Sequence, residues 1–231
     1  MSAIPRQFGF ILFPDLTQLD LTGPWEVLTR LPGVACHLLS HDMAPVRSAG
    51  GGLSILPTAT FEDCPHLDLV CVPGGPGHVA AMEDAALIGF LRRVAPGCAH
   101  VTAVCTGSLV LAAAGLLAGR RATTHWLSLD RLAAFGAVPV AERVVFDGPV
   151  VTGGGVTAGI DFALALAAVL AGEETARAIA LQMEYAPAPP HGPGTPDAMP
   201  DVASRLRERA APYLARMADV DARLAPGAQP P

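Results

Sequence analysis

The stretch from His100 to Gly115, HVTAVCTGSLVLAAAG, constrains the fold more than any other part of the chain. Apolar and β-branched residues run into Cys105, and Thr106-Gly107-Ser108 then opens an alanine- and leucine-rich helix. A buried strand that turns sharply into a helix needs a layered α/β architecture around it. It presents its junction residue at the carboxyl edge of the sheet, where open α/β sheets carry out chemistry. A thiol at that junction sits beside the positive end of a helix dipole, which favours thiolate over thiol. Cys105 is therefore expected to be a nucleophile. The plainer alternative is one more small core residue, the common fate of a free cysteine.

The rest of the chain repeats the theme. Phe8 to Phe13, Val34 to Ser40 and Leu67 to Val72 are short apolar runs of the kind that form buried strands. The last is stopped by Pro73-Gly74-Gly75-Pro76-Gly77, whose backbone N–H groups can approach a ligand closely. The spacing is not a dinucleotide fingerprint. Val46 to Leu56 reads as a hairpin around Gly50-Gly51-Gly52. Val138 to Phe146 and Pro149 to Thr152 read as a second one, with Asp147-Gly148 as its turn. Helices are expected from Thr22-Gly23-Pro24, over Asp84–Val94, over Leu127–Phe135, over Ala158–Ala171 with Gly172 as its cap, and over Glu173–Tyr185. Asp20 then falls just before its helix, between two leucines, either as a capping residue or as a functional acid. Strands alternating with helices predict an α/β fold with a mostly parallel, doubly wound sheet and helices on both faces.

Six prolines and two glycines between Ala186 and Pro200 leave no room for regular structure, and the Arg- and Ala-rich helix beyond is expected to break at Pro212. The chain thus divides into an α/β domain over 1–186 and a Pro-rich segment with a terminal helix over 187–231, packing on the domain or on a dimer partner. The five cysteines, at 36, 64, 71, 98 and 105, show no metal-type spacing and fit a reduced, cytosolic chain. His37 and His41 lack a third ligand. Residues 1–10 do not read as a signal peptide, and no apolar run is long enough to span a membrane. A net charge of −6 argues against nucleic acid. All 15 basic residues are Arg, which excludes a Schiff-base or phosphate-binding lysine.

Several motifs together resemble a known family. They are LDLTGPWEV at 19–27, the PGGPG turn, AVCTGS at 103–108, RRATTHW at 120–126, GGGVTAGIDFALAL at 153–166 and EYAPAPPHGPGTP at 184–196. They are similar to the ThiJ/PfpI group of the class I glutamine amidotransferase-like superfamily, most of all to its isonitrile-hydrating branch. The resemblance implies a flavodoxin-like sandwich, a homodimer, no cofactor, and hydration of a small isonitrile to an N-substituted formamide. It places the nucleophile at Cys105, a proton-handling acid at Asp20 and its helper at Thr106, with Gly74 and Gly75 as an anion-binding turn. Trp126, Gly154 and Val156 are the candidates for pocket lining, and His125 for a partner of the cysteine. The intracellular peptidases and some glyoxalase-type relatives carry His directly after the cysteine, where this chain has Thr106. The remaining alternatives are a glyoxalase, deglycase or redox-protective thiol enzyme, and a sensor domain related to AraC-type regulators, for which too few residues remain to hold a helix-turn-helix region. Gly153-Gly154-Gly155 are expected either to leave the next helix free to shift or to make a tight turn with positive φ.

Overall fold

The computed structural model describes residues 6–225. Residues 1–5, part of the stretch weighed as a signal segment, and 226–231, the end of the second expected segment, lie outside the described residues. The strands are β1 (Arg6–Ile11), β2 (Val34–Ser40), β3 (Val46–Arg47), β4 (Ser54–Ile55), β5 (Ala59–Thr60), β6 (Leu69–Val72), β7 (His100–Val104), β8 (Arg121–Ala122), β9 (Val138–Pro139), β10 (Val144–Asp147) and β11 (Val150–Gly153). The α-helices are α1 (Gln18–Leu28), α2 (His78–Glu83), α3 (Ala85–Val94), α4 (Gly107–Ala113), α5 (Ala158–Ala171), α6 (Glu173–Gln182) and α7 (Pro200–Leu224).

Seven strands form one sheet in the order β10-β11-β7-β6-β1-β2-β5, parallel throughout except for the β10–β11 hairpin. Every residue of β6 and β11 is buried. Strands covered on both faces need unbroken apolar sequence, which explains why the apolar runs mark them so clearly. α1 packs on α5 and α5 on α6, while α2, α3 and α4 pack together in a separate layer. The chain leaves β1 toward β2 and β5, then returns to the other side of β1 through β6, β7 and β11. The connections therefore reverse between β1 and β6, and the crevice outside the carboxyl ends of strands at such a switch point is the favoured place for a site.

Four expectations need correction. α1 begins at Gln18, so Asp20 lies inside its first turn and Pro24 inside the helix. Pro24 has no N–H to give the Asp20 carbonyl. Its ring instead lets α1 sit tightly on α5, where a Cβ at Gly159 would lie 3.0 Å from Pro24 Cδ. The segment Trp126–Phe135 is a 3-10 helix rather than an α-helix, capped by the His125 side chain at one end and by left-handed Gly136 at the other. The second hairpin turns on Gly148-Pro149, since Asp147 still pairs with Val150. α7 runs unbroken through Pro212. The carbonyl that Pro212 leaves unbonded belongs to Glu208, on an exposed stretch where water can satisfy it. α7 folds back onto α2 and the 3-10 segment. No helix among the described residues is long and apolar enough to cross a membrane.

Candidate active site

Cys105 follows β7 directly, two residues before α4, with φ of 57°, in the left-handed region. That conformation costs a non-glycine residue about 1–2 kcal/mol, so the surroundings must hold it. The Cys105 N–H is shared between the carbonyls of Gly153 (3.0 Å) and Gly154 (2.9 Å). Its carbonyl accepts the hydroxyl of buried Thr124 at 2.7 Å. The sulfur accepts backbone N–H groups from Val156 and Thr106. Val156 and Gly154 thus touch Cys105 through their backbones.

The elbow demands close backbone packing. A Cβ on Gly107 would lie 2.1 Å from the Val72 carbonyl oxygen and 2.7 Å from that of Pro73. Neither backbone atom can step aside. Gly107→Ala should destabilise the fold by about 3 kcal/mol, the upper end of ordinary overpacking, and lower the melting temperature by roughly 6–12 °C. Thermal unfolding followed by circular dichroism reads this directly.

Asp20 is fully buried and hydrogen-bonded to the Cys105 side chain. Residues 85 apart in sequence meet because β1 and β7 end at the same edge of the sheet, on either side of β6. Gly74 N–H donates to Asp20 Oδ2 at 3.1 Å, and Gly75 N–H to Thr106 Oγ1 at 2.9 Å. The Gly-rich turn thus gives one N–H to the Asp20 carboxyl and one to the Thr106 hydroxyl. A Cβ on Gly74 would sit 2.5 Å from Thr106 N and 2.9 Å from Asp20 Oδ2, so only glycine fits between the two.

Burial pushes the Asp20 carboxyl up to about 7, against the lowering effect of its hydrogen bonds from Cys105 and Gly74. Burial also pushes the Cys105 thiol upward, and the neighbouring Asp20 charge adds to it. Expecting a thiolate from the helix dipole alone thus left out the larger effect, desolvation. The two groups titrate as one unit and give up their first proton near neutrality.

The other candidates fall around this pair. Thr106 places its hydroxyl on the Gly75 backbone and its N–H on the sulfur. Trp126 begins the 3-10 segment beyond Thr124, its ring covered by the Arg207 guanidinium at 4.9 Å. His125 caps that segment through Nδ1 and is not hydrogen-bonded to the thiol; burial lowers its pKa. A Cβ on Gly155 would meet His125 Cδ2 at 2.8 Å, and none of Gly153, Gly154 and Gly155 has positive φ. Close approach, not an unusual turn, is what requires glycine at 155. His37 bonds Gln7 and His41 bonds Asp84. Among the described residues no His, Cys, Asp or Glu cluster can hold a metal ion, and all five cysteines are free. Thr124 and His78 escaped the sequence reading; only the paired threonines of ATTHW signalled the first.

Residues 7–169 match the DJ-1/PfpI family. The chain belongs to that family. It is 55% identical to isonitrile hydratase of Pseudomonas putida over 95% of this chain and 96% of that protein. It is 33% identical to the HTH-type transcriptional regulator CdhR of Pseudomonas aeruginosa, over 74% of this chain but 52% of the regulator. A ThiJ/PfpI family protein from Pseudomonas syringae superposes with a TM-score of 0.91 at 37% identity, covering 96% of this chain and 94% of its own. Drosophila melanogaster DJ-1beta superposes at 0.69 and covers 79% of this chain. The fold is the flavodoxin-like sandwich of these proteins.

Proposed function

We propose that the protein is an isonitrile hydratase that converts R–NC and water to R–NH–CHO, using Cys105 as nucleophile and Asp20 as acid and base. The reading rests on the 55% identity to the Pseudomonas putida isonitrile hydratase, which runs the length of both chains. The buried pair at the sheet edge supports it chemically. An isonitrile carbon accepts a nucleophile and then a proton at the same atom, so the first step needs no oxyanion hole and has no leaving group to protonate. That suits a site with a carboxyl group beside the thiol and Thr106 rather than His as the next residue.

The Asp20 carboxylate takes the Cys105 proton as sulfur bonds to the isonitrile carbon. Asp20 then gives that proton to the same carbon, leaving the thioimidate R–N=CH–S. As a carboxylate again, it removes a proton from water, whose oxygen adds to the carbon. The nitrogen takes the proton from Asp20, the C–S bond breaks toward sulfur, and collapse of the adduct releases R–NH–CHO. The carbonyl forms as the O–H proton returns to the sulfur. The N–H groups of Thr106 and Val156 hold the sulfur's negative charge while it leaves. The protein works in this reading as a cytoplasmic homodimer without cofactor, membrane or nucleic-acid partner, and with the segment beyond residue 186 completing the fold.

Formamide production from an aryl isonitrile by the purified protein, with methylglyoxal in parallel, tests the assignment. Turnover of methylglyoxal but not of the isonitrile overturns it. The protonation of the pair adds a second expectation. Below about 7 both groups hold their protons and nothing accepts the thiol's. The productive form carries one proton fewer, so kcat/KM should rise with pH through about 7 and then level off. A rate independent of pH between 5 and 9 would contradict this.

A further inference from the structure

Cys105 lies between two turns. On one side Gly74-Gly75 holds Asp20 and Thr106, and the next residues begin α2. On the other, Thr124 holds the Cys105 carbonyl, and His125-Trp126 begin the 3-10 segment. α7 touches both. Tyr213 lies edge-on to His78 of α2, with ring centroids 6.4 Å apart and the hydroxyl 3.5 Å from His78 Nδ1. His78 Nδ1 in turn bonds the Gly75 carbonyl at 2.8 Å. Across the gap, Arg207 covers Trp126. Arg131 of the 3-10 segment pairs with Asp221 at 2.5 Å and bonds the Leu214 carbonyl at 3.2 Å. α7 therefore bridges the two turns that flank Cys105.

Of the α7 side chains that make these contacts, Tyr213 is half-buried; burial raises its pKa, and charge on Cys105 adds to the rise. His78 is completely buried, and its Nε2 has no hydrogen-bond partner among the described residues. Because Nδ1 faces a carbonyl, it carries the ring proton, and Nε2 is left as a buried acceptor. An orphaned buried acceptor signals space beside it for a polar group or water. α7 also lies outside residues 7–169, the part that matches the family as a whole.

We propose that α7 closes the outer side of the Cys105 site and that Tyr213 forms the wall that limits the size of the group a substrate carries there. The identity of that group as an isonitrile's R substituent rests on the function proposed above; the wall does not. Tyr213 is the residue that sets size because it reaches, through His78, the Gly75 turn that holds Thr106 beside the sulfur.

Two variants of the full-length protein test it, Tyr213→Ala and Tyr213→Trp, each with two readouts. The first is the ratio of kcat/KM for a naphthyl isonitrile to that for a small alkyl isonitrile. The second needs no isonitrile chemistry. It is the rate of Cys105 alkylation by an N-aryl iodoacetamide relative to iodoacetamide, located by peptide mass spectrometry. Tyr213→Ala should raise both ratios at least tenfold, and Tyr213→Trp should lower both by a similar factor. If wild type turns over no isonitrile, the function falls while the alkylation ratios still judge the wall. Should Tyr213→Ala fail to fold, Tyr213→Trp decides alone. Ratios that stay within threefold of wild type in the folded variants overturn the proposal, even where absolute rates fall.

Discussion

Cys105→Ala is expected to abolish isonitrile turnover, a fall of at least about 10⁴-fold in kcat. The reaction begins with a bond to sulfur, and nothing else at the site can make that bond. Thr106 Oγ1 is occupied with the Gly75 backbone, and Ser108 is buried in α4. The substitution should leave the fold intact. Alanine keeps the same strained backbone, the Thr124 hydroxyl still reaches the residue's carbonyl, and the N–H bonds to Gly153 and Gly154 remain. Thermal unfolding close to that of wild type would show that the loss is chemical. Wild-type protein quenched early in turnover should carry the whole mass of the isonitrile on the Cys105 peptide, because addition expels nothing. Activity within tenfold of wild type in Cys105→Ala rules out covalent catalysis and the mechanism with it.

The elbow was readable because each of its requirements is local. β7 is covered on both faces and must be apolar, Gly107 must lack a Cβ, and α4 is buried and must be small and apolar. The long α5 and its Gly172 cap were readable for the same reason. The start of α1 was misplaced because Gly23-Pro24 looks like a helix beginning. What makes a proline tolerable inside that helix is Gly159 on α5, 135 residues further along. Asp20 stood out by its place between two leucines, but only resemblance to relatives suggested which of its two roles to expect. A carboxylate between leucines says little until the sheet order brings β1 and β7 to one edge. His78, Tyr213 and the Arg131–Asp221 pair look like ordinary surface residues in sequence. Their burial depends on α7 returning across the whole domain after a segment too rich in proline to show where it leads. Patterning reports what each element does with its own neighbours, and these side chains answer to distant ones.

Asp20→Asn should lower kcat by about 10²–10⁴-fold, the scale of a lost general acid–base group, while leaving Cys105 in place. Asparagine is nearly the same size and can still accept the Gly74 N–H through its amide oxygen. It cannot take the thiol proton, return it to carbon or activate water. The rise of kcat/KM through about 7 should vanish with it, since that limb belongs to the carboxyl. Stability separates this from a packing defect. An aspartate raised from 3.8 to about 7 by burial binds more protons folded than unfolded in that interval. Its contribution to wild-type stability is therefore full in acid and lost as pH climbs toward 7. Asparagine has no proton to lose. The melting temperature of Asp20→Asn relative to wild type should accordingly increase from pH 4 to pH 8. A variant that is slow, stable and more so at higher pH places the proton chemistry on this side chain. Wild-type turnover in Asp20→Asn would reduce Asp20 to a structural residue of α1, and another group would have to carry the thiol proton to carbon.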